Sequence, residues 1–254
     1  VKVSSALTQD HDVDAVSGTI GFFGNLGGVV SYVADRSSAY AHVGDGARIL
    51  SDADILLLAD AVRKANIQAV GAGTSIGSTT GTVVWHETAG STRSVLGAGT
   101  ELAAGGLVAV RALSDMDMTS KAYAPSVGAF LGLGAAVAIM QDTSATEASV
   151  GATTAVTEAR AVEVEAAYTP HVDVYTHGVG VGGTAAGASV ARAEIEASVE
   201  SFLGSGVRIG QLAGKSVGSL YVAAVMNTSG AAGEETAVAR TDGGAVGTIT
   251  GVGS

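Results

Sequence analysis

One segment of this 254-residue chain recurs at a fixed spacing, and that spacing limits the fold more than any other feature. The segment His42-Val43-Gly44-Asp45-Gly46-Ala47-Arg48-Ile49 returns as Val95–Leu102, Ser149–Val156 and Phe202–Ile209. The landmark glycines Gly44, Gly97, Gly151 and Gly204 are spaced 53, 54 and 53 residues apart. A steady period of this kind is the mark of stacked structural units, each too small to bury its own apolar face. A second landmark keeps the same step: Val1-Lys2-Val3, Ile55-Leu56-Leu57, Val108-Ala109-Val110, Val162-Glu163-Val164 and Leu220-Tyr221-Val222. A third is carried by Val30, Val84, Val137 and Val190, with Val246 as its continuation. These valines are expected to stack on inward faces of successive units.

The chain therefore divides into repeats at about 1–54, 55–107, 108–161, 162–219 and a partial 220–254, forming one continuous domain over 1–254. Repeat four carries an insertion between Ile209 and Leu220, expected to bulge as a loop around Leu212-Ala213-Gly214-Lys215-Ser216. Within a repeat, candidate strands begin near Val30, Ile49, Gln68 and Val84. Those steps read as three coils of about 18 residues per repeat. The residue at the Ile49 position is Ile, Leu, Val, Ile, and at the Arg48 position Arg, Glu, Ala, Arg. Such alternation is that of a strand with one buried face. Asp52–Ala65 and Ala185–Ser201 are rich in helix formers, yet their repeat register reads as strand, and propensity is the weaker signal. The Gly-x-Gly pairs at Gly44/Gly46, Gly97/Gly99 and Gly204/Gly206 are expected to supply positive φ at corners, Gly97 and Gly204 included. The third copy has Thr153 in place of the second glycine.

Composition agrees with an all-β stack of narrow coils. Glycine is 37 of 254, aromatics are 4% and charged residues 15%, well below the quarter or so usual for soluble domains. The net charge of −11 and the scattered Lys and Arg argue against a nucleic-acid partner, which requires a clustered basic face. Without cysteine the chain has neither disulfides nor thiolate metal sites. The nearly uncharged run Ala122–Met140 contains Pro125 and several glycines, and its apolar part is shorter than the roughly 20 residues of a spanning helix. It reads as a buried coil, not a membrane span. A lipid-facing barrel is disfavoured because four Phe, six Tyr and Trp85 do not suggest aromatic girdles.

The landmarks Ala-Tyr-x-x-Val-Gly-x-Gly-Ala-x-Ile (Ala39–Ile49), Val-x-Val-x-Ala and a Gly/Ala-rich stretch together resemble the repeats of very large secreted bacterial adhesins of the filamentous-haemagglutinin-like and leukotoxin-like kind. The resemblance implies a right-handed parallel β-helix, or β-solenoid, exported and displayed at the cell surface as a stalk or fibre. It carries over no catalytic residues.

Asp10, Asp12 and Asp14, with Asp115, Asp117 and Asp173 at comparable offsets, suggest either a ladder for a divalent cation or a solvated acidic face, the plainer reading. His11, His42, His86, His171 and His177 lack metal-ligand spacing. An enzyme of the polysaccharide-lyase or hydrolase type needs paired carboxylates in one groove. Asp115 and Asp117 with Lys121, or the Asp10–Asp14 run, are the candidates. Gly178-Val179-Gly180-Val181-Gly182-Gly183 matches a dinucleotide fingerprint only formally, since no βαβ context surrounds it. The expectation is a structural module with no catalytic, cofactor-binding or metal-binding residues, and no cofactor. Its partners are further repeats or copies stacked end to end, with a cell-surface or glycan receptor as a possible ligand. The alternative is a β-helical carbohydrate-active or carbohydrate-binding domain. Val1 falls inside a landmark strand, so the natural chain is expected to continue or its copies to stack.

Overall fold

The structure, a computed structural model, describes residues 1–211, 213–227 and 237–253, with side chains through residue 248. Among these there are strands and turns and no helix. Layer one consists of Lys2–Ile20, Asn25–Asp35, Ser38–Val43 and Arg48–Ser51. Layer two repeats the path with Ile55–Thr88, Ser91–Leu96 and Glu101–Ala104, and layer three with Leu107–Asp142, Ala145–Val150 and Ala155–Glu158. Layer four is Ala161–Val181, Thr184–Ile195, Ser198–Leu203 and Arg208–Ile209, and layer five Leu220–Met226, Ala237–Val246 and Ile249–Gly253. Both segments with helical propensity, Asp52–Ala65 and Ala185–Ser201, lie mainly in strands. Their alternating apolar faces are buried only in extended conformation.

Every layer pairs with the next in parallel. Lys2 lies beside Leu56, Ile55 beside Val108, Val108 beside Val162 and Val162 beside Leu220. These offsets equal the sequence period, apart from the longer step at the insertion. One repeat is therefore one layer, and the expected subdivision into three coils of about 18 residues is incorrect. Gln68, expected to open a strand, lies in the middle of Ile55–Thr88. No residue in the described ladders pairs with one 18 positions away. At about 4.8 Å between strands, 53 residues advance the stack by one strand spacing only.

Each layer has two parts. Near the base, the start of the long strand and the two short strands enclose an apolar core of Leu57, Val108, Val110, Leu96, Leu102 and Val164 with their neighbours. Beyond it the long strand runs outward, turns, and comes back, so that outgoing and returning segments lie back to back as an arm. A second core fills the arm's root with Ile67, Val84, Met116, Met118, Met140 and Val174. Further out, the residues between the two segments are small: Gly73, Ser78, Thr80, Gly132, Gly134 and Gly180. A Cβ on Gly180 would lie 2.2 Å from the carbonyl oxygen of Gly132 and 2.3 Å from that of Ala186. Backbones this close exclude every side chain there.

That thinness explains why the valine row faces the other way. Val30, Val83, Val137 and Val190 form one column, and it points outward, with Val30 76% and Val190 54% exposed. Val84 belongs to the adjacent inward column with Ser31 and Ala138. Val246 pairs with Val181, outside the valine column altogether. In contrast, Ile49, Leu102, Val156 and Ile209 face the base core while Arg48 and Glu101 form an outward ion pair at 3.3 Å.

Positive φ falls on the second corner glycine, Gly46, Gly99 and Gly206, and on Thr153 at +60° in the copy that lacks it. Gly97 and Gly204 are required for a different reason, since a Cβ on either would lie 2.6 Å from a backbone nitrogen in the corner of the layer below. In the insertion, Ala213–Ser216 is exposed and Lys215 pairs with Glu158, whereas Leu212 lies outside the described residues.

Candidate functional site

Asp10, Asp12 and Asp14 alternate along one strand and share its outward face. Stacking does not collect the other carboxylates beside them. Asp10 stands in a column with Lys64, Asp117 and His171, and Asp12 with Asn66, Thr119 and Asp173. Asp12 accepts a hydrogen bond from the Asn66 amide at 3.1 Å. Asp14 shares a column with Gln68, Lys121 and Tyr175. No group of three His, Cys, Asp or Glu side chains able to hold a metal ion occurs among the described residues.

Lys64, Asp115, Asp117, Thr169 and His171 line a shallow depression of about 340 Å³ on this face. Lys64 stands between Asp10 and Asp117 of the neighbouring layers, which suits residues one strand spacing apart, where like charges would repel. Asp115 and Asp117 are thus brought to Lys64 and His171, while Lys121 sits in the column of Asp14. His42 stacks on Tyr40 with ring centroids 5.4 Å apart, and His177 stacks on Tyr175 at 6.5 Å. The formal Gly178–Gly183 fingerprint is the end of an outgoing strand and the turn after it.

A polar cluster that no repeat or motif announces is buried between the two apolar cores. Arg63 is 1% exposed. Its Nε lies 3.6 Å from Asp35 Oδ2. Its Nη1 donates to Ser114 Oγ at 3.0 Å, and its Nη2 to the Ser37 carbonyl at 3.1 Å. Gly90 makes room for it, since a Cβ there would come within 2.7 Å of the guanidinium. Burial pushes the Arg63 pKa down, and the Asp35 charge opposes that shift. Two layers from Arg63's own, Tyr168 donates to Asp142 Oδ2 in the layer between, and its hydroxyl lies 3.2 Å from Met116 Sδ. Burial and the nearby Asp142 charge raise the tyrosine pKa strongly. Asp35, Thr88 and Asp142 are one column at the corner where the arm returns. Asp35 and Asp142 each accept the backbone N–H of the serine two residues on, Ser37 and Ser144.

His86 is fully buried nearby, and neither ring nitrogen has a hydrogen-bond partner. Its pKa falls to about 4, chiefly because burial disfavours the charged ring; Asp35 opposes the shift and His11 adds to it. The ring is therefore neutral at pH 7. Every hydrogen-bonding partner named for this cluster is internal, so its chemistry is that of holding layers together.

The arm's outer surface is the other feature without a sequence forewarning. Residues 15–34, 65–85, 122–141 and 178–191 contain no Asp, Glu, Lys, Arg or His. With small residues inside, the larger apolar ones point out: Ile20 is 90% exposed, Leu26 83% and Phe130 73%. Phe22 and Phe23 meet edge to face at the layer-one turn, with centroids 4.9 Å apart. A second depression, of about 470 Å³, lies beside this turn between Ile20, Ala72, Thr74, Pro125 and Val127. No helix of the described residues is long and apolar enough to cross a membrane. Comparison with protein-family models, with curated proteins and with solved structures finds no match to this chain.

Proposed function

We propose that the chain is a structural module: a segment of a layered β-solenoid fibre, wound in the right-handed sense and displayed outside a bacterial cell. The observation that carries this reading is the parallel pairing of each layer with the next, from layer one to layer five. Each layer offers the next an equivalent backbone edge and an equivalent inward row, so stability grows with layer number. The resemblance of the repeats to large secreted adhesins supports the extracellular setting and the role in a surface filament. The single-layer repeat refines the mechanical picture. A fibre gaining about 4.8 Å per 53 residues is broad and slow to lengthen, so its usefulness lies in its wide faces more than in reach.

Electron microscopy of tandem fusions of this segment tests the reading. Each added copy should lengthen one continuous particle by about 24 Å, five strand spacings, at constant width. Separate beads joined by linkers would overturn it.

A further inference from the structure

We infer that the arm is a lipid-docking edge, which inserts its turn and outer faces into one leaflet of a bilayer. The two sheets of the arm have reversed polarity compared with a soluble sandwich. Glycine, serine and threonine lie between them, and valine, leucine, isoleucine and phenylalanine lie outside. Some inner hydroxyls bond within the arm: Thr82 Oγ1 donates to the Tyr123 carbonyl at 2.8 Å and accepts the Gly71 N–H at 3.0 Å, whereas Ser78 Oγ, also inside, has no hydrogen-bond partner. Ser126 Oγ donates to the Ser78 carbonyl at 2.8 Å. The outer faces of the arm carry no charged side chain.

Three observations favour lipid over a protein partner. Three of the four phenylalanines, Phe22, Phe23 and Phe130, occupy the turn and are at least 73% exposed. Next, aromatic residues with polar handles mark the boundary where charges begin. The Gly71–Thr82 contact fixes the heights of the two segments. Three residues nearer the base, Trp85 stands level with the column that holds Tyr175. Tyr32 shares the column of Trp85 and donates to Glu87 Oε2 at 3.0 Å, and Tyr175 donates to Asp242 Oδ2 at 2.7 Å. Rings that are apolar on one side and tied to charge on the other suit a membrane–water interface. Last, Trp85 lies nine residues from Ile76 at the turn, about 20–30 Å along a strand. That is enough for one leaflet with its headgroups, half of a bilayer about 40–45 Å thick. Apolar exposure at the turn is not confined to layer one, since Val127, Phe130 and Leu131 of layer three are exposed there as well.

A bare sheet edge is costly in hydrocarbon. The layer-one edge must therefore be covered by a further layer once immersed, and binding should rise steeply with protein concentration. With a net charge of −11, attraction to anionic lipid contributes nothing, and the probe is zwitterionic phosphatidylcholine.

The experiment is flotation of the purified chain with phosphatidylcholine vesicles, read together with fluorescence of Trp85, the single tryptophan. The protein should float equally at low and high salt. Trp85 emission should shift to the blue and be quenched best by bromines placed high on the acyl chain. A Trp85→Phe, Phe130→Trp variant should be quenched best by bromines near the terminal methyl. Phe22→Asp with Phe130→Asp should cut flotation at least tenfold while leaving the circular dichroism and melting temperature unchanged, because both rings are exposed. Absence of flotation would overturn the inference, as would flotation indifferent to the two aspartates. Lipid-free dimers abolished by those aspartates would also overturn it and assign the arm to a second copy. Lengthening of tandem fusions is measured without lipid, so the layered-fibre reading stands or falls separately.

Discussion

Arg63 and Asp35, from adjacent layers, meet at 3.6 Å with their side chains 1% and 2% exposed, at the point where the base core gives way to the arm. An ion pair so buried contributes little net stability against an apolar replacement, but breaking it by removing one partner leaves an uncompensated charge. Arg63→Met should destabilise the protein by about 3–5 kcal/mol. Arg63→Met combined with Asp35→Leu should recover most of that loss. Urea denaturation of the two variants checks it, and an equal loss in both would show that the pair's packing matters more than its charge.

His86 links stability to pH. Its folded pKa is about 4 against the ordinary 6.5, so between those values the unfolded chain binds more protons than the folded one. The contribution is complete above pH 6.5 and is lost as pH falls towards 4, amounting to about 3 kcal/mol. His86→Leu should remove this part of the acid sensitivity, and at pH 7 it should cost little, because the ring makes no hydrogen bond. Melting temperatures of both proteins between pH 4 and 7 give the comparison. Parallel curves would refute the assignment.

The arm's thinness predicts opposite results for two glycines. Gly180→Ala places a methyl 2.2 Å from the Gly132 carbonyl oxygen, whereas a Cβ on Gly81 meets nothing within 4 Å. The first substitution should cost at least about 1–3 kcal/mol. The second should be neutral or slightly stabilising, by up to about 1 kcal/mol. Thermal unfolding of the pair decides.

At the corners, Thr153 holds φ +60° where its counterparts are Gly46, Gly99 and Gly206. A β-branched residue in that region is strained. Thr153→Gly should therefore raise stability by roughly 1 kcal/mol, less the entropy a glycine loses on folding. A lower melting temperature would mean that the hydrogen bond from Thr153 Oγ1 to the Ala152 carbonyl outweighs the strain.

The parallel all-β architecture was legible because Gly44, Gly97, Gly151 and Gly204 repeat at a nearly constant step, and that step turned out to be the pairing offset itself. The division within a repeat was not legible. Strict alternation runs from Ile55 to Thr88, but a chain that alternates small and large residues does not say which set is buried. On size alone the valines would be the buried set. Contact between backbones at Gly180 and Gly134 reversed it, leaving Val30 and Val190 outside. The Arg63–Asp35 pair was hidden because it joins residues 28 apart in sequence and occurs once, not in every repeat. The aromatic level of Tyr32, Trp85 and Tyr175 appears only when outgoing and returning segments are aligned.

One repeat makes one wide layer, and a distance within a single repeat distinguishes that arrangement from three stacked coils. With no native cysteine, nitroxide labels can be placed by Phe130→Cys at the arm's turn and Thr153→Cys at the base corner of the same layer. The long strand separates these positions by about 20 residues, so pulsed electron paramagnetic resonance should give a separation on the order of 60 Å. Three stacked coils of about 18 residues would bring the labels within roughly 30 Å, and a distance that short would be incompatible with one layer per repeat.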